Sequence, residues 1–431
     1  MSRQIDDRES RFHAYLSRLA TKIGHMDRHE PLRAYLMGLC LPGERKSIEP
    51  MAARIDPYHV RALHQSMHHF VANAPWKDND ILREARNQVL EQMERHGSIA
   101  AWIVDDTGIP KKGTHSVGVA KQYCGRLGKR DNCQVSVSLT VANEAVSIPV
   151  AYRLYLPKTW AENIISRRYS GVPKKIVFMT KWKIALEQIK WLKIEGVQEA
   201  PIISDIGYGN VTDFRDQLTD LTTPYVLEIR NDTSLWPLGK GPLKPAKFSG
   251  SGRYPCRLRR DKDHRPITAL TLAKQLPMSA WKDQTWREGT KGIMRSRFAV
   301  VRVRSAHRDF KRREPRSEEW LLIEWPRGDK NPLKFWLSTM PADTSMEQLV
   351  RLAKIRWRIE RDYLEMKSEF GLGHYEGRSW RGFHHHASLC IAAYSFMAAE
   401  RAHFSPPEPM SFLKAVSLPY GFKPRGSPCA T

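Results

Sequence analysis

The chain has 431 residues, and 70 Lys and Arg against 46 Asp and Glu leave a formal charge of +24. That imbalance favours polyanionic partners. The longest apolar run, Leu389 to Ala399 broken by Ser395, is too short to span a bilayer, so nucleic acid is expected as the polyanion and membrane is not.

Early acids and no apolar segment follow Met1, so no secretory signal is read and a cytoplasmic place is expected. The six cysteines (Cys40, Cys124, Cys133, Cys256, Cys390, Cys429) show no C-x-x-C pair, which argues against zinc sites and disulfide scaffolds and for reduced thiols. From about residue 10 to 95, three- and four-residue apolar spacing predicts short helices divided by Pro42-Gly43, Pro57 and Pro75. Such basic helices form either a DNA-reading unit of helix-turn-helix type or a plain cap on the next domain. Near residue 99 the period changes. Ile99 to Val104 reads as a strand ending at Asp105-Asp106-Thr107-Gly108, Cys133 to Val141 as an alternating strand, and Val146 to Leu156 as its hairpin partner. A helix over Lys181 to Ile194 leads to a buried strand, Ala200 to Ser204, that stops at Asp205. Strands that deliver acids at their ends, with helices between, predict an α/β sheet with a site along its edge.

Between about 226 and 340 the pattern becomes β-rich, with strand candidates at Tyr225 to Ile229, Phe298 to Arg304, Trp320 to Trp325 and Phe335 to Ser338; this segment reads as an insertion or second module. Arg356, Glu360 and Lys367 then fall within about 40° of one another on one predicted helix. Leu352, Ile355, Ile359, Tyr363, Met366 and Phe370 form an apolar stripe beside them. Ala387 to Ala402 is a further apolar helix, and the tail opens at Ser405-Pro406-Pro407.

The chemistry rests on three carboxylates: Asp105 or its neighbour Asp106, Asp205, and Glu360. Singly, Asp205 reads as a turn or helix-capping residue and Glu360 as the i, i+4 partner of Arg356. Together, in so basic a chain, they suit divalent cations, which take oxygen ligands and act in pairs about 4 Å apart on phosphoryl displacements. The order Asp105-x-Thr107, Asp205 and Arg356-Trp-Arg-Ile-Glu360-x6-Lys367 resembles the DDE transposases of bacterial insertion sequences, in the branch related to IS4 and nearest the IS701 family. Supporting stretches are Asp105 to Gly113, Gln122-Tyr123, Leu154-Tyr-Leu-Pro157, Asp205-Ile-Gly-Tyr-Gly209 and Gly371 to Trp380. Ala353 stands where that signature carries a Tyr.

The resemblance implies an α/β fold with an RNase H-like catalytic core, a β-rich insertion and an N-terminal helical domain. It divides the chain into helical 1–95, core 96–225, insertion 226–340, final core helices 341–402 and tail 403–431. Asp105, Asp205 and Glu360 become the catalytic metal ligands for two Mg2+ ions, with Mn2+ as a substitute. The implied partners are double-stranded element ends and target DNA, held by a homodimer on paired ends. Arg356 and Lys367 are the implied phosphate grips; Lys111, Lys112 and Arg358 are further candidate DNA contacts. Trp286, with Trp281 and Trp236, is a candidate platform for a flipped base. A regulator without catalysis and a nuclease that cuts without joining are the competing readings. His384-His385-His386 cannot all face one ion from a helix and is expected to be surface imidazoles.

Overall fold

A computed structural model describes residues 2–289 and 292–404; the predicted tail from Ser405 lies outside the described residues. Five helices open the chain: α1 (Ser2–Ala20), α2 (His29–Cys40), α3 (Ile48–Ile55), α4 (Val60–Ala72) and α5 (Asp78–Met93). Pro42-Gly43, Pro57 and Pro75 fall between them, as ring closure and missing N–H groups require. Strands β1 (Ala101–Pro110), β2 (Ala120–Cys124), β3 (Lys129–Ala142) and β4 (Ser147–Leu154) follow. Then come α6 (Lys158–Glu162), α7 (Ile164–Tyr169), α8 (Lys181–Ile194), β5 (Ile202–Ser204), α9 (Ile206–Gly209), α10 (Thr212–Asp220) and β6 (Tyr225–Ile229). The β-rich stretch holds β7 (Ser234–Pro237), β8 (Ile267–Thr268), α11 (Ala269–Gln275), β9 (Lys282–Gly289), β10 (Gly292–Ser305), β11 (Glu319–Glu324) and β12 (Lys334–Ser338). Helices α12 (Met346–Lys354), α13 (Trp357–Ser368) and α14 (Trp380–Phe404) complete the described chain.

All twelve described strands belong to one sheet, ordered β2-β3-β1-β5-β6-β12-β11-β10-β7-β8, with β4 also on β3 and β9 on β10. At its centre β1, β5 and β6 run parallel, while β3 and β4 turn back antiparallel. Parallel strands covered on both faces need continuous apolar runs. Trp102-Ile103-Val104, Ile202-Ile203 and Val226-Leu227 supply them, all fully or almost fully buried.

One expectation changes here. Residues 226–340 do not stand apart as a second module: β12 hydrogen-bonds to β6, and β11, β10 and β7 continue outward from it. The Gly-, Pro- and Lys-rich connections suggested a separate unit because edge-to-edge pairing leaves no mark on hydrophobic period.

A second expectation fails on α14. This helix is buried around nearly its whole circumference, packed on α5, α2, α4 and β4, and it shares one core with the N-terminal helices. His384, His385 and His386 are therefore buried and not on the surface. Each faces a different neighbour, as consecutive helix positions must. His384 uses its Nε2 to accept from the Leu154 N–H and its Nδ1 to reach the Trp380 carbonyl. His385 lies flat on Trp76, ring centroids 3.5 Å apart, between the carbonyls of Val71 and Trp76. His386 bonds the Tyr35 hydroxyl at 2.8 Å and the Gly371 carbonyl at 3.0 Å.

Burial pushes the His385 and His386 imidazoles down to about 4 from their ordinary 6.5. A base with a lowered folded pKa binds its proton more readily in the unfolded chain, so its contribution is whole above about pH 6.5 and is lost as pH falls towards 4. Buried Asp105 and Asp362, both pushed up to about 7, act in the opposite direction, so the histidine share has to be read from a variant. His386→Gln, whose amide can donate to Gly371 and accept from Tyr35, is expected to lose less stability than the wild type between pH 7 and pH 5 in urea unfolding. Equal acid sensitivity of the two proteins would contradict a buried neutral imidazole.

Candidate active site

Strand register places the first two acids. In the parallel pair β1 and β5, Val104 stands opposite Ser204, so the next residues along, Asp105 and Asp205, lie side by side on strands about 4.8 Å apart. Ser204 likewise stands opposite Leu227, which brings Glu228 up beside Asp205. Asp105 is not at a strand end, as the sequence suggested, but in the middle of β1, because β3 continues to pair with β1 as far as Pro110. β5 does end at Ser204, and Asp205 caps α9 by accepting the Gly207 N–H at 3.0 Å. Helix α9 is pressed so closely on β6 that a Cβ on Gly209 would lie 2.1 Å from the Glu228 carbonyl oxygen.

The third acid comes from a helix that breaks where the sequence suggested continuity. α12 ends at Lys354, two residues turn, and α13 begins at Trp357, so Arg356 is the N-cap residue of α13. The apolar stripe survives the break: Ile355, Ile359, Tyr363, Met366 and Phe370 are buried. From the turn, Arg356 donates through Nη1 to Asp105 Oδ2 at 2.9 Å and through Nη2 to Glu360 Oε1 at 2.6 Å. Asp105 and Glu360 are thus held one guanidinium apart. The remaining Asp105 oxygen, Oδ1, accepts the Asp106 N–H at 2.7 Å, and the Tyr363 hydroxyl, bonded to Ser138, supports the strand behind it. Asp106 points elsewhere and takes Lys181 Nζ at 2.6 Å.

Burial raises the Asp105 carboxyl to about 7, against the pull of Arg356, and nearby Asp205 and Asp106 add to the rise. Asp205 is also raised, first by burial and then by Asp106. Burial works against the charge on Arg356, yet Asp105, Glu360, Asp205 and Glu228 outweigh it and hold the guanidinium above its usual range. Four carboxyl groups, Asp105, Asp106, Asp205 and Glu360, thus stand against two cations, Arg356 beside Asp105 and Glu360 and Lys181 beside Asp106. Beside them the Tyr208 hydroxyl is buried with no hydrogen-bond partner, close enough to Asp106, Asp105 and Asp205 to feel their charge. Excess negative charge, hard oxygen donors and an orphan hydroxyl suit a divalent cation. Among the described residues, however, no three His, Cys, Asp or Glu side chains are gathered into a cage.

The candidate DNA contacts separate into two groups. Lys367 donates to the Gly108 carbonyl of β1 at 3.0 Å, and Lys111, just past the end of β1, to the Tyr375 carbonyl at 2.6 Å; burial lowers both ammonium groups, Lys111 to about 8, while Lys112 is exposed. Arg358 instead turns towards Glu144 and lies over the Trp357 ring, with little of its side chain open. Trp286 packs edge-on against Phe298 and carries Lys354 Nζ 4.3 Å over its ring, so it is not a free stacking platform. Trp236 is buried and bonded to Asp309, and Trp281 packs against Trp325. Glu228 and Lys181 gave no functional sequence signal of their own, and Tyr208 stood only inside the Asp205-Ile-Gly-Tyr-Gly209 block; the register and the α8 approach bring them to the acids.

The sequence model of the DDE superfamily endonuclease family matches residues 18–293. This chain belongs to that family. The match in this DDE endonuclease takes in Asp105 and Asp205 and ends before Glu360. A probable transposase for insertion sequence element IS701, from Microchaete diplosiphon, is 31% identical over 169 residues, 39% of this chain and 41% of that protein. The aligned stretch therefore spans well under half of the relative. No described helix is long and apolar enough to cross a membrane.

Gly209→Ala tests how firmly α9 positions Asp205. Because the new methyl meets backbone, the variant is expected to lose about 1–3 kcal/mol of stability in a denaturant titration. No loss would mean that α9 can shift freely.

Proposed function

We propose that this DDE endonuclease is a DNA transposase that cleaves insertion-sequence ends and joins the freed 3′-hydroxyls to target DNA by in-line phosphoryl transfer. One observation carries the reading: the parallel register of β1 and β5 sets Asp105 beside Asp205, and Arg356 ties Glu360 to the same spot. The strand order β3-β1-β5-β6, with only β3 antiparallel, supports an RNase H-like core. Asp105 is favoured over Asp106 as the first ligand because it faces Arg356, whereas Asp106 is engaged by Lys181.

Asp105, Asp205 and Glu360 would hold two Mg2+ ions, with Mn2+ able to replace them. Bound there, the ions supply Lewis-acid stabilisation of the attacking and leaving oxygens. The chain's own residues do the rest. Arg356 offers a planar fork suited to phosphate, Lys367 adds positive charge beside β1, and Lys111 adds it just past the end of that strand for the neighbouring backbone. Tyr363 and Ser138 keep the Asp105 backbone fixed beneath the substrate. Hydrolysis and joining are both displacements at phosphorus, so one site serves both. Assembly as a homodimer on paired element ends belongs to the same reading.

A nuclease that cuts without joining would use the same residues, and product analysis separates the two. Purified protein with labelled element-end DNA, a target plasmid and Mg2+ is expected to yield joined products. Asp205→Ala is expected to bind the same DNA and cleave about a thousand-fold more slowly. Asp106→Asn should retain most of the activity. Unchanged cutting by the Asp205 variant would refute the ligand role.

A further inference from the structure

Arg356 sits where a cation is least welcome by helix electrostatics. The N-terminal end of α13 carries partial positive charge, which disfavours a guanidinium there and favours an acid such as Glu360. What keeps Arg356 in place is the carboxylate pair, at 2.9 Å and 2.6 Å, with Asp205 and Glu228 adding to the attraction. The same contacts hold Asp105 and Glu360 on opposite sides of the guanidinium, and among the described residues no three acids are gathered into a cage.

We propose that Arg356 is a removable counter-ion: it fills the carboxylate site of the DNA-free protein and moves from there to a DNA phosphate when a divalent cation enters. The inference rests on the metal-binding reading above. A divalent ion between Asp105 and Asp205 and a guanidinium 2.9 Å from Asp105 repel each other, so one displaces the other. The displaced fork retains its charge and its donors, and the nearest new anion on a bound duplex is phosphate. Arg356 lies in the two-residue break between α12 and α13, where its side chain can turn without unwinding either helix. Metal and DNA then strengthen each other's binding by the same factor, as linkage demands.

Mn2+ alone, titrated into full-length DNA-free protein and followed by the electron paramagnetic resonance of the free ion, tests this directly. Arg356→Gln is expected to bind Mn2+ about ten-fold more tightly than the wild type. Arg356→Lys, which keeps charge but not the fork, should fall between and carries the test if the Gln variant does not fold. Adding a short duplex should tighten Mn2+ binding by the wild type and do so less in Arg356→Gln. Folded Arg356 variants that bind Mn2+ no more tightly than the wild type would overturn the proposal. Asp205→Asn separates the two layers of the argument: weakened Mn2+ binding places the titrated ion at this site. Unchanged binding removes the metal reading and this proposal together.

Discussion

Two carboxylates forced side by side by a parallel strand register are the constraint on which the site depends. Val104 opposite Ser204 fixes the neighbourhood of Asp105 and Asp205 before any side chain chooses a rotamer. Asp105 is buried and Asp205 half-buried, and the charge on Asp205 makes charge on Asp105 more costly, so the site needs positive charge close by. Arg356 provides it on one side and Lys181, through Asp106, on the other. The broken helix that carries Arg356 and Glu360 follows from this need, since the turn lets a cation and an acid from the same segment reach the same pair of strands.

The scaffold keeps that register from slipping. A one-residue shift of β5 against β1 would put Ser204 beside Asp105 and turn Asp205 away. Asp205 is further fixed by capping α9, and α9 by the close approach of Gly209 to Glu228. On the other flank α13 lies against β4 and β1, with the Tyr363 hydroxyl reaching Ser138. Buried Asp362 accepts from both Ser147 and Tyr394, linking α13 to β4 and α14. The sheet, the last two helices and the N-terminal helices are consequently one packed body around the acids.

Much of this was legible because it leaves a local mark. Apolar runs ending at Asp105 and Asp205, helix spacing from Lys181 to Ile194, and the Arg356-x3-Glu360-x6-Lys367 pattern each have a period or a boundary that one sequence displays. What stayed hidden depends on partners distant in the chain. The mid-strand place of Asp105 comes from β3 pairing onward past it, and the break after Lys354 accompanies a bond from Arg356 to Asp105, 251 positions away. The burial of His385 and His386 depends on helices more than 300 residues earlier closing over α14, and that of His384 on β4, 230 residues earlier. Arg358 reads as a phosphate contact by composition, yet its neighbour Glu144 lies on a loop that no spacing rule links to α13.

The central claim is that Asp105, Asp205 and Glu360 converge on divalent ions once Arg356 withdraws. Anomalous diffraction from crystals of the protein with Mn2+ and a short duplex addresses it most directly. The account predicts a Mn2+ peak held by Asp105, Asp205 and Glu360, with the Arg356 guanidinium on a phosphate. Peaks only at other residues, or Arg356 still bonded to both Asp105 and Glu360 with metal and DNA bound, would contradict it.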